Sequence, residues 1–301
     1  MSSIAYVTDE SMLEYHRLCR NRAILFWRLS SKRKFTDFRK GDLLFFFARP
    51  YKSRKKAFIG YAHFDSIVRL SLKQMWSRYG QFTGYDSEPL LKEAIEKAAK
   101  DSHIPKQMSC LYLTDVVFFT SPIYPHEAGL DIPNNLESYC YLDRSDPSVT
   151  VRILKIAEER GIDLWSSDEN SSPEIIFSQD EIRHELAVIH KNFGRDEGSE
   201  KERIKARKLA REKCEEEGWE MIRQSRTDLL RIEDDRVVIA LPFVAQINDR
   251  DLRIREIAGR MLIYRMRIQE QLHKKVSFEA FGENVPETVT QLAEHINNEQ
   301  I

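Results

Sequence analysis

The part of the chain that decides the fold is residues 24–80, which read ILFWRLSSKRKFTDFRKGDLLFFFARPYKSRKKAFIGYAHFDSIVRLSLKQMWSRYG. Apolar and aromatic runs bounded by polar turns predict three strands, at 23–27, 42–48 and 57–64. Lys40-Gly41-Asp42 is the predicted turn before the second strand. Gly60 predicts a bulge or a close approach of two backbones in the third strand.

The sequence around this stretch extends the same domain. Helical spacing predicts helices at 70–79 and 89–100, and the run at 111–120 predicts another strand. Alternate members of Phe45-Phe46-Phe47 must face opposite sides of their strand, so at least one side faces a core. We therefore expect a compact β-barrel with helices over residues 1–148.

The rest of the chain predicts a second domain of mixed type. We expect residues 149–193 to be a helical and Ser/Asp/Pro-rich connector. The C-terminal domain, residues 194–301, then contains predicted helices and three strand-like runs, with the helices at 194–217, 249–273 and 286–299 and the strands at 219–223, 228–232 and 236–244. The predicted fold class is α+β, an N-terminal β-barrel with helices followed by a smaller α/β domain.

Charge is distributed unevenly along the chain. Residues 1–60 carry 14 Lys and Arg against 5 Asp and Glu, whereas the whole chain has a formal net charge of −1. A basic N-terminal end is typical of a polyanion-binding surface, and an ordinary solvated face can have the same composition. The charge pattern leaves both interpretations open.

Residues 20–145 resemble the EVE-like branch of the PUA-like superfamily. The resemblance rests on the order and spacing of Trp27, Lys40-Gly41-Asp42, Phe45-Phe46-Phe47 and Ile59-Gly60-Tyr61. The runs MWSRYGQFTGYDS and CLYLTDVVFFTSPI are similar to the version found at the N-terminus of predicted HNH restriction endonucleases. This resemblance implies a reader of nucleic acid that holds a base, often a modified one, in an aromatic pocket.

The residues supply the chemistry for such a reader. Aromatic side chains can stack on a flipped or single-stranded base, and Lys and Arg can neutralise its phosphates. The candidate pocket residues are Trp27, Tyr61, Trp76, Tyr79, Tyr85, Asp86 and Ser87. The candidate phosphate contacts are Lys32, Arg33, Lys34, Lys52, Arg54, Lys55 and Lys56. Each aromatic could instead pack in a core, and each basic residue could be a plain surface charge.

The C-terminal domain is similar in layout to the restriction-endonuclease-like fold. Asp228 matches its first acidic position, but the strand 237–244 lacks the carboxylate and lysine that a Mg²⁺-dependent nuclease needs. We therefore expect a degenerate domain with no catalytic residue and no metal. The alternative is an active nuclease, with Mg²⁺ as cofactor, that combines Asp228 with carboxylates such as Glu215, Glu216 or Glu220.

Two further patterns concern a possible metal site and a possible pairing surface. His184-Glu185 and His190 form HExxxxH, whose spacing is too long for a zinc-binding helix, and we expect a surface helix. The helix 249–273 has an apolar series beside a basic one. It could pair with a second copy in a homodimer, form a second phosphate face, or simply face its own core.

Composition excludes several protein classes. The chain has 301 residues, of which 42% are hydrophobic and 32% charged, with 11 Gly and 10 Pro, so it is neither disordered nor collagen-like. No apolar run reaches the roughly 18 residues of a membrane span, and we expect a cytoplasmic protein without membrane contact. The four cysteines are scattered and predict free thiols. Dinucleotide, P-loop and hydrolase motifs do not occur.

We therefore expect a nucleic-acid-binding protein rather than an enzyme. Its partner is DNA or RNA, with or without base modification, and its setting is bacterial defence or modification-dependent restriction. The C-terminal domain is expected to serve assembly or to recruit an effector protein, and no cofactor is expected. Besides the nuclease, the remaining alternative is a module that binds a small ligand or a protein.

Overall fold

The computed structural model describes residues 2–29, 35–36, 38–99, 104–164, 173–193, 198–233 and 236–298. The chain divides into two compact units, Met1–Ser178 and Gln179–Ile301. Within the described residues, no helix has both the length and the apolar character needed to span a membrane.

Among the described residues, the N-terminal unit contains six strands and four α-helices, and a fifth α-helix begins in it and ends in the C-terminal unit. The elements are β1 (Ser3–Val7), α1 (Glu10–Leu18), β2 (Ile24–Phe26), β3 (Leu43–Ala48), β4 (Ala57–Leu70), α2 (Leu72–Tyr79), α3 (Glu88–Ala99), β5 (Met108–Ile123), β6 (Tyr139–Tyr141), α4 (Ser148–Arg160) and α5 (Pro173–Lys191).

The six strands form one mixed sheet in the order β2-β5-β4-β3-β1-β6. β1 runs parallel to β3, and every other neighbouring pair is antiparallel. The strand pairs of the described residues leave β2 and β6 as the two ends, so the sheet is open where the sequence predicted a closed barrel. The centre of this sheet is covered by apolar groups on both faces.

The central strand β3 shows how both faces are covered. Phe45 and Phe47 pack on one face with α4, and Phe46 packs on the other with α1. All six residues of β3 are buried. The predicted alternation of the three phenylalanines is confirmed, and a strand buried on both sides reads as a continuous apolar run.

The turn before β3 and the glycine of β4 hold the centre of this sheet together. The buried Asp42 accepts hydrogen bonds from the backbone N–H of Ser2, at 2.9 Å, and of Arg39, at 2.5 Å. A Cβ on Gly60 would lie 2.3 Å from the carbonyl oxygen of Val117, and the β4–β5 register shifts at this position. The bulge and the close approach predicted for Gly60 are thus both confirmed.

The segment predicted as a connector, 149–193, is largely packed helix. α4 buries Ile153 and Leu154 in the core shared with β3, so it belongs to the N-terminal unit. α5 follows from Pro173, and residues 165–172 lie outside the described residues. The sequence predicted a helix around 184–190 but not the first turns of α5, because these follow a polar, Ser-rich stretch that reads as a loop.

The C-terminal unit is a four-stranded sheet covered by helices on both faces. Its remaining elements are α6 (Glu200–Lys213), β7 (Glu220–Met221), β8 (Leu229–Ile232), β9 (Arg236–Pro242), α7 (Arg250–Leu272), β10 (Lys275–Phe281) and α8 (Glu287–Asn298). The strand order is β10-β9-β8-β7, with β9 and β10 parallel and the other pairs antiparallel.

Two hydrophobic clusters fill the C-terminal unit. One face of the sheet packs against α5, α7 and α8, and the other packs around Ala210 of α6 and Trp219. His184, Glu185 and His190 are buried on α5, which corrects the surface helix expected for this segment. They are buried because Ile182, Leu186 and Ile189 of the same helix belong to the core.

Candidate functional site

A cavity of about 620 Å³ opens in the N-terminal unit beside α1. Its apolar lining includes Leu13 of α1, Ile59 of β4 and Phe118 and Phe119 of β5. Tyr51 lies on the loop after β3 and is 79% exposed, so its ring stands at the edge of the cavity. Ligand pockets commonly have about 300 to 1,000 Å³ and a mainly apolar lining.

α1 supplies the polar wall of this cavity. Asp9 caps the helix by accepting a hydrogen bond from the N–H of Met12 at 3.2 Å, and Glu10 follows in the first turn, where a carboxylate is favoured. Glu10, Glu14 and Arg17 line the cavity. The helix therefore presents three charged side chains to the same open volume.

The opposite wall is held to the sheet by backbone bonds. The N–H of Asp163 donates to the carbonyl oxygen of Phe118 at 2.8 Å, and that of Thr120 donates to Gly161 at 2.9 Å. Arg17 donates from Nε across the cavity to the Asp163 carboxylate, and from Nη1 to Glu14 of its own helix at 3.1 Å. With Glu10, the lining carries three carboxylates against one guanidinium.

On the other side of α1, His16 is fully buried. Its Nδ1 lies 3.0 Å from Nδ2 of Asn21, and burial lowers the pKa of His16 to about 3. The imidazole is thus neutral across the physiological range. The position of α1, and with it one wall of the cavity, depends on an uncharged histidine.

Four of the predicted base-pocket aromatics come together in a different place. Trp27, Trp76, Tyr79 and Tyr85 are half-buried and pack around a hydrophobic cluster that includes Met75. Burial and the nearby Asp9 raise the pKa of Tyr85 to about 12. The indole N–H of Trp27 is buried, with no hydrogen-bond partner among the described residues. None of the seven predicted pocket residues lines the 620 Å³ cavity.

The other three predicted pocket residues do not join this cluster. Tyr61 is fully buried in the core on the α4 face, so it cannot wall an open pocket, which corrects that prediction. Tyr61 is on the α4 face of the sheet because β4 presents alternate side chains to opposite faces, and its neighbour Ala62 is on the other face. Asp86 is exposed and within hydrogen-bonding range of the Tyr15 hydroxyl. Ser87 precedes α3 and accepts the N–H of Leu91 at 3.0 Å through its backbone oxygen.

The predicted phosphate contacts separate into three groups. Lys52, Arg54 and Lys55 are exposed on the loop that follows Tyr51. Lys56 is half-buried and donates from Nζ to the carbonyl oxygen of Leu136, and burial together with the neighbouring Arg49 lowers its pKa. Its ammonium is therefore already engaged. Lys32, Arg33 and Lys34 lie outside the described residues.

Asp228, the candidate acidic residue of the nuclease alternative, is completely buried. Its Oδ2 accepts hydrogen bonds from Arg260 and, at 2.9 Å, from the Tyr264 hydroxyl, and its Oδ1 accepts one from Thr227 at 3.0 Å. His190 Nδ1 lies 3.3 Å from Oδ2. Burial alone would raise the pKa of Asp228, but Arg260 and His190 hold it well below its usual range.

The carboxylates proposed to join Asp228 are elsewhere. Glu216 forms an ion pair with Lys213 at 3.3 Å, Glu220 forms one with Arg183 at 2.9 Å, and Glu215 is exposed. Within the described residues, no group of three or more His, Cys, Asp or Glu side chains could hold a metal ion. The structure thus uses Asp228 as the centre of a buried ion-pair network in the part of the chain it describes.

Sequence reasoning missed the residues that line the cavity. The stretch DESMLEYHRL has a usable signal, since Asp9 is a good N-cap and Glu10 a good first-turn residue. Nothing local marks Asp163 or Thr120 as neighbours of that helix. They join it only through the pairing of β5 with residues 161–163.

Comparison with known proteins gives a remote structural likeness. No protein-family model and no curated protein matches the chain. Crystal structures of an ASCH protein from Zymomonas mobilis are similar to it. A tyrosine-to-phenylalanine variant has a TM-score of 0.37 and 17% identity over 52% of this chain and 99% of that chain. The protein without a stated substitution has a TM-score of 0.36 and 16% identity over 51% and 94%.

At these identities and TM-scores the likeness shows no family or superfamily for this chain. A similarity at this TM-score carries no functional argument, so function has to be argued from the residues of this chain.

Proposed function

We propose that the N-terminal unit binds nucleic acid, with one base in the cavity beside α1 and the adjoining phosphates on the loop Lys52, Arg54 and Lys55. The observation that carries this proposal is the position of a cavity of about 620 Å³ directly before that basic loop, with Tyr51 belonging to both. The sequence predicted an aromatic base site next to basic residues. The proposal keeps this combination, with the base in the cavity beside α1 instead of among the predicted pocket residues.

The lining of the cavity suits a base. Tyr51 offers an exposed aromatic ring on which a base can stack, and Phe118 and Phe119, which are almost fully buried, contribute only to the apolar lining. Glu10 and Glu14 can accept hydrogen bonds from the amino groups of a base edge. These groups can grip a base that has left its stack, which is how proteins reach a single nucleotide.

Charge separates the two halves of the proposed site. The cavity carries three carboxylates and one guanidinium, so it repels phosphate, whereas the loop is cationic. A nucleotide would therefore enter with its base toward α1 and leave its phosphate outside. The engaged Lys56 contributes less to phosphate binding than its three neighbours.

The first test compares Tyr51→Ala with Tyr51→Phe in oligonucleotide binding. Removing one stacking ring costs about 1 to 3 kcal/mol, so we expect Tyr51→Ala to weaken binding roughly 5- to 150-fold. Tyr51→Phe keeps the ring and should bind nearly as the wild type does. Because Tyr51 is largely exposed, neither change should alter folding. Fluorescence polarisation with short single- and double-stranded DNA and RNA measures the affinities.

The result that would count against the proposal is equal binding by Tyr51→Ala and the wild type. Wild-type protein that binds no oligonucleotide at low salt would also count against it, and would favour the small-ligand or protein-interaction alternative. Binding that weakens steeply with salt supports phosphate contact over that alternative. Mg²⁺-dependent cleavage of these oligonucleotides by the wild type would favour the nuclease alternative.

The finer parts of the proposal concern modification and biological setting. We propose that the base is read for modification in bacterial defence or modification-dependent restriction, and that the C-terminal unit serves assembly or recruits an effector. Pairs of oligonucleotides with and without cytosine or adenine modification test the first part. Equal affinity within every pair would mean that the protein binds nucleic acid without distinguishing modified from unmodified bases.

The cluster around Trp27 is the second candidate for the base site, because its indole N–H is buried and has no partner among the described residues. Trp27→Phe keeps an aromatic ring and removes the N–H. If the cavity beside α1 holds the base, Trp27→Phe should change oligonucleotide affinity much less than Tyr51→Ala does. A larger loss in Trp27→Phe would move the base to the Trp27 cluster.

A further inference from the structure

α7 has two apolar sides. Ile257, Met261, Tyr264 and Ile268 are buried and pack in the core of the C-terminal unit, as expected for the inward stripe of a helix. The sequence placed Leu252 and Leu262 in the same apolar series, but the structure exposes both. A helix that only covers its own core has no need of a second apolar side.

The second side extends along most of the helix, with the exposed Arg255 between its first two members. It consists of Leu252, Gly259, Leu262, Ile263 and Met266, which we call the outer face. Leu262 is 47% exposed, Ile263 44% and Met266 67%. At 3.6 residues per turn these positions lie on one side of α7, opposite the buried stripe. Leu252, Gly259 and Met266 are spaced by seven, the repeat with which two helices pair.

We propose that the outer face pairs with the outer face of a second copy of this chain, with the two α7 helices antiparallel. A two-fold axis between Leu262 and Ile263 brings Gly259 of each copy opposite Met266 of the other. A Cβ on Gly259 would meet no atom within 4 Å, so this position leaves room for the methionine side chain. One surface is then complementary to itself, as a two-fold interface requires.

Charge complementarity also favours a second copy in this orientation. The same axis brings Arg255 of each copy opposite Glu270 of the other, so one register forms two opposite-charge pairs. Arg255 is exposed, and among the described residues its Nε donates to the backbone oxygen of Asp251 in its own helix, at 3.4 Å. Glu270 is exposed and forms an ion pair with Arg267 at 3.0 Å. A parallel arrangement would bring Arg255 against Arg255.

The same contacts argue against α7 as a second phosphate face. Arg260 is bound to Asp228, Arg253 to Glu256, and Arg267 to Glu270. A phosphate would have to displace a carboxylate at each of these positions. The exposed surface between the arginines is apolar, which suits a helix and not a polyanion.

The test measures the mass of the full chain by light scattering after size exclusion. We expect twice the 35.4 kDa of the monomer for the wild type, and 35.4 kDa for the double variant Leu262→Glu with Met266→Glu. Ile204→Glu is the matched control, since Ile204 is an apolar residue of α6 that is 58% exposed and outside the outer face. It should keep the wild-type mass. A wild type of 35.4 kDa, or a Leu262→Glu, Met266→Glu variant that stays dimeric, overturns the proposal.

Charge exchange and cross-linking test the orientation. Arg255→Glu should weaken the dimer by bringing two carboxylates together, and Arg255→Glu combined with Glu270→Arg should restore it. In a Cys19→Ser background, which removes the exposed thiol, a short bis-maleimide should join two chains carrying both Gly259→Cys and Met266→Cys. Gly259→Cys alone should not cross-link. Efficient cross-linking of Gly259→Cys alone, or no recovery in the charge-exchanged variant, overturns the antiparallel register.

Discussion

Each unit of the protein holds an arginine against a carboxylate, and the two pairs have different surroundings. In the C-terminal unit, Asp228 is fully enclosed, and Arg260, Tyr264 and Thr227 occupy both of its oxygens. In the N-terminal unit, Arg17 and Asp163 face a cavity of about 620 Å³. A carboxylate satisfied inside a core stabilises the fold, whereas one beside open volume can exchange partners with a ligand.

The largest effect should come from breaking the enclosed pair. Asp228→Asn leaves the Arg260 guanidinium without its counter-charge in a core, and removing one partner of a buried pair costs about 3 to 5 kcal/mol. We expect the lower part of this range because Arg260 is partly exposed. Hydrogen exchange should show faster opening of β8 and β9, which follow Asp228. Chemical denaturation measures the free energy of unfolding.

Asp249→Asn is the matched control for Asp228→Asn. Asp249 belongs to the same unit and precedes α7, but its side chain makes no capping hydrogen bond. This change should leave the free energy of unfolding almost unchanged. If Asp228→Asn and Asp249→Asn had the same free energy of unfolding, the network around Asp228 would not stabilise the unit. Asp228 would then again be a candidate for ligand binding.

Mild acid should destabilise the N-terminal unit and leave the stability of the C-terminal unit less affected. We expect this effect to be smaller than that of Asp228→Asn. His16 has a pKa of about 3 when folded and an ordinary value of 6.5, so the unfolded chain binds its proton first as the pH falls. The contribution of His16 is complete above pH 6.5 and is lost progressively as the pH falls toward 3. At pH 5 the loss is about 2 kcal/mol. Asp228, whose pKa is lowered, keeps its contribution until the pH falls below its ordinary value of 3.8.

Denaturation of the wild type and of His16→Gln at pH 7 and pH 5 measures this difference. The wild type should lose about 2 kcal/mol more between the two pH values than His16→Gln does. His126→Gln, at an exposed histidine of the same unit, should behave as the wild type. If His16→Gln kept the full pH dependence, α1 would not depend on the neutral imidazole, and acid would act elsewhere.

The elements that could be predicted from the sequence are those with a clear local pattern. Strands appear wherever a local apolar run is long enough, and the helix predicted at 249–273 is α7, Arg250–Leu272. No element was predicted before residue 23, so β1 and α1 were missed. β10 was missed although KVSFEAF alternates, because it directly follows the long helix α7.

The candidate site was harder to predict than the fold, for a physical reason. Arg17 and Asp163 are 146 positions apart, and Arg260 is 32 positions from Asp228, so neither pair leaves a local pattern. An aromatic side chain such as Tyr61 has the same sequence signature in a core as in a pocket. The sequence predicts an aromatic group beside a basic loop, but it cannot determine which aromatic residues border open volume.

The smallest effect is expected at the rim of the cavity, where the basic loop is exposed. Replacing Lys52, Arg54 and Lys55 by glutamine should flatten the dependence of the logarithm of oligonucleotide affinity on the logarithm of salt concentration. Each lost phosphate contact lowers this slope by about 0.7 to 0.9. Lys56→Gln is the matched control, because the Lys56 ammonium already donates to Leu136 and should add little to the slope. An equal change for Lys56→Gln and for its three neighbours would mean that the loop acts only through its total charge. An unchanged slope in the triple variant would place the phosphates on another surface.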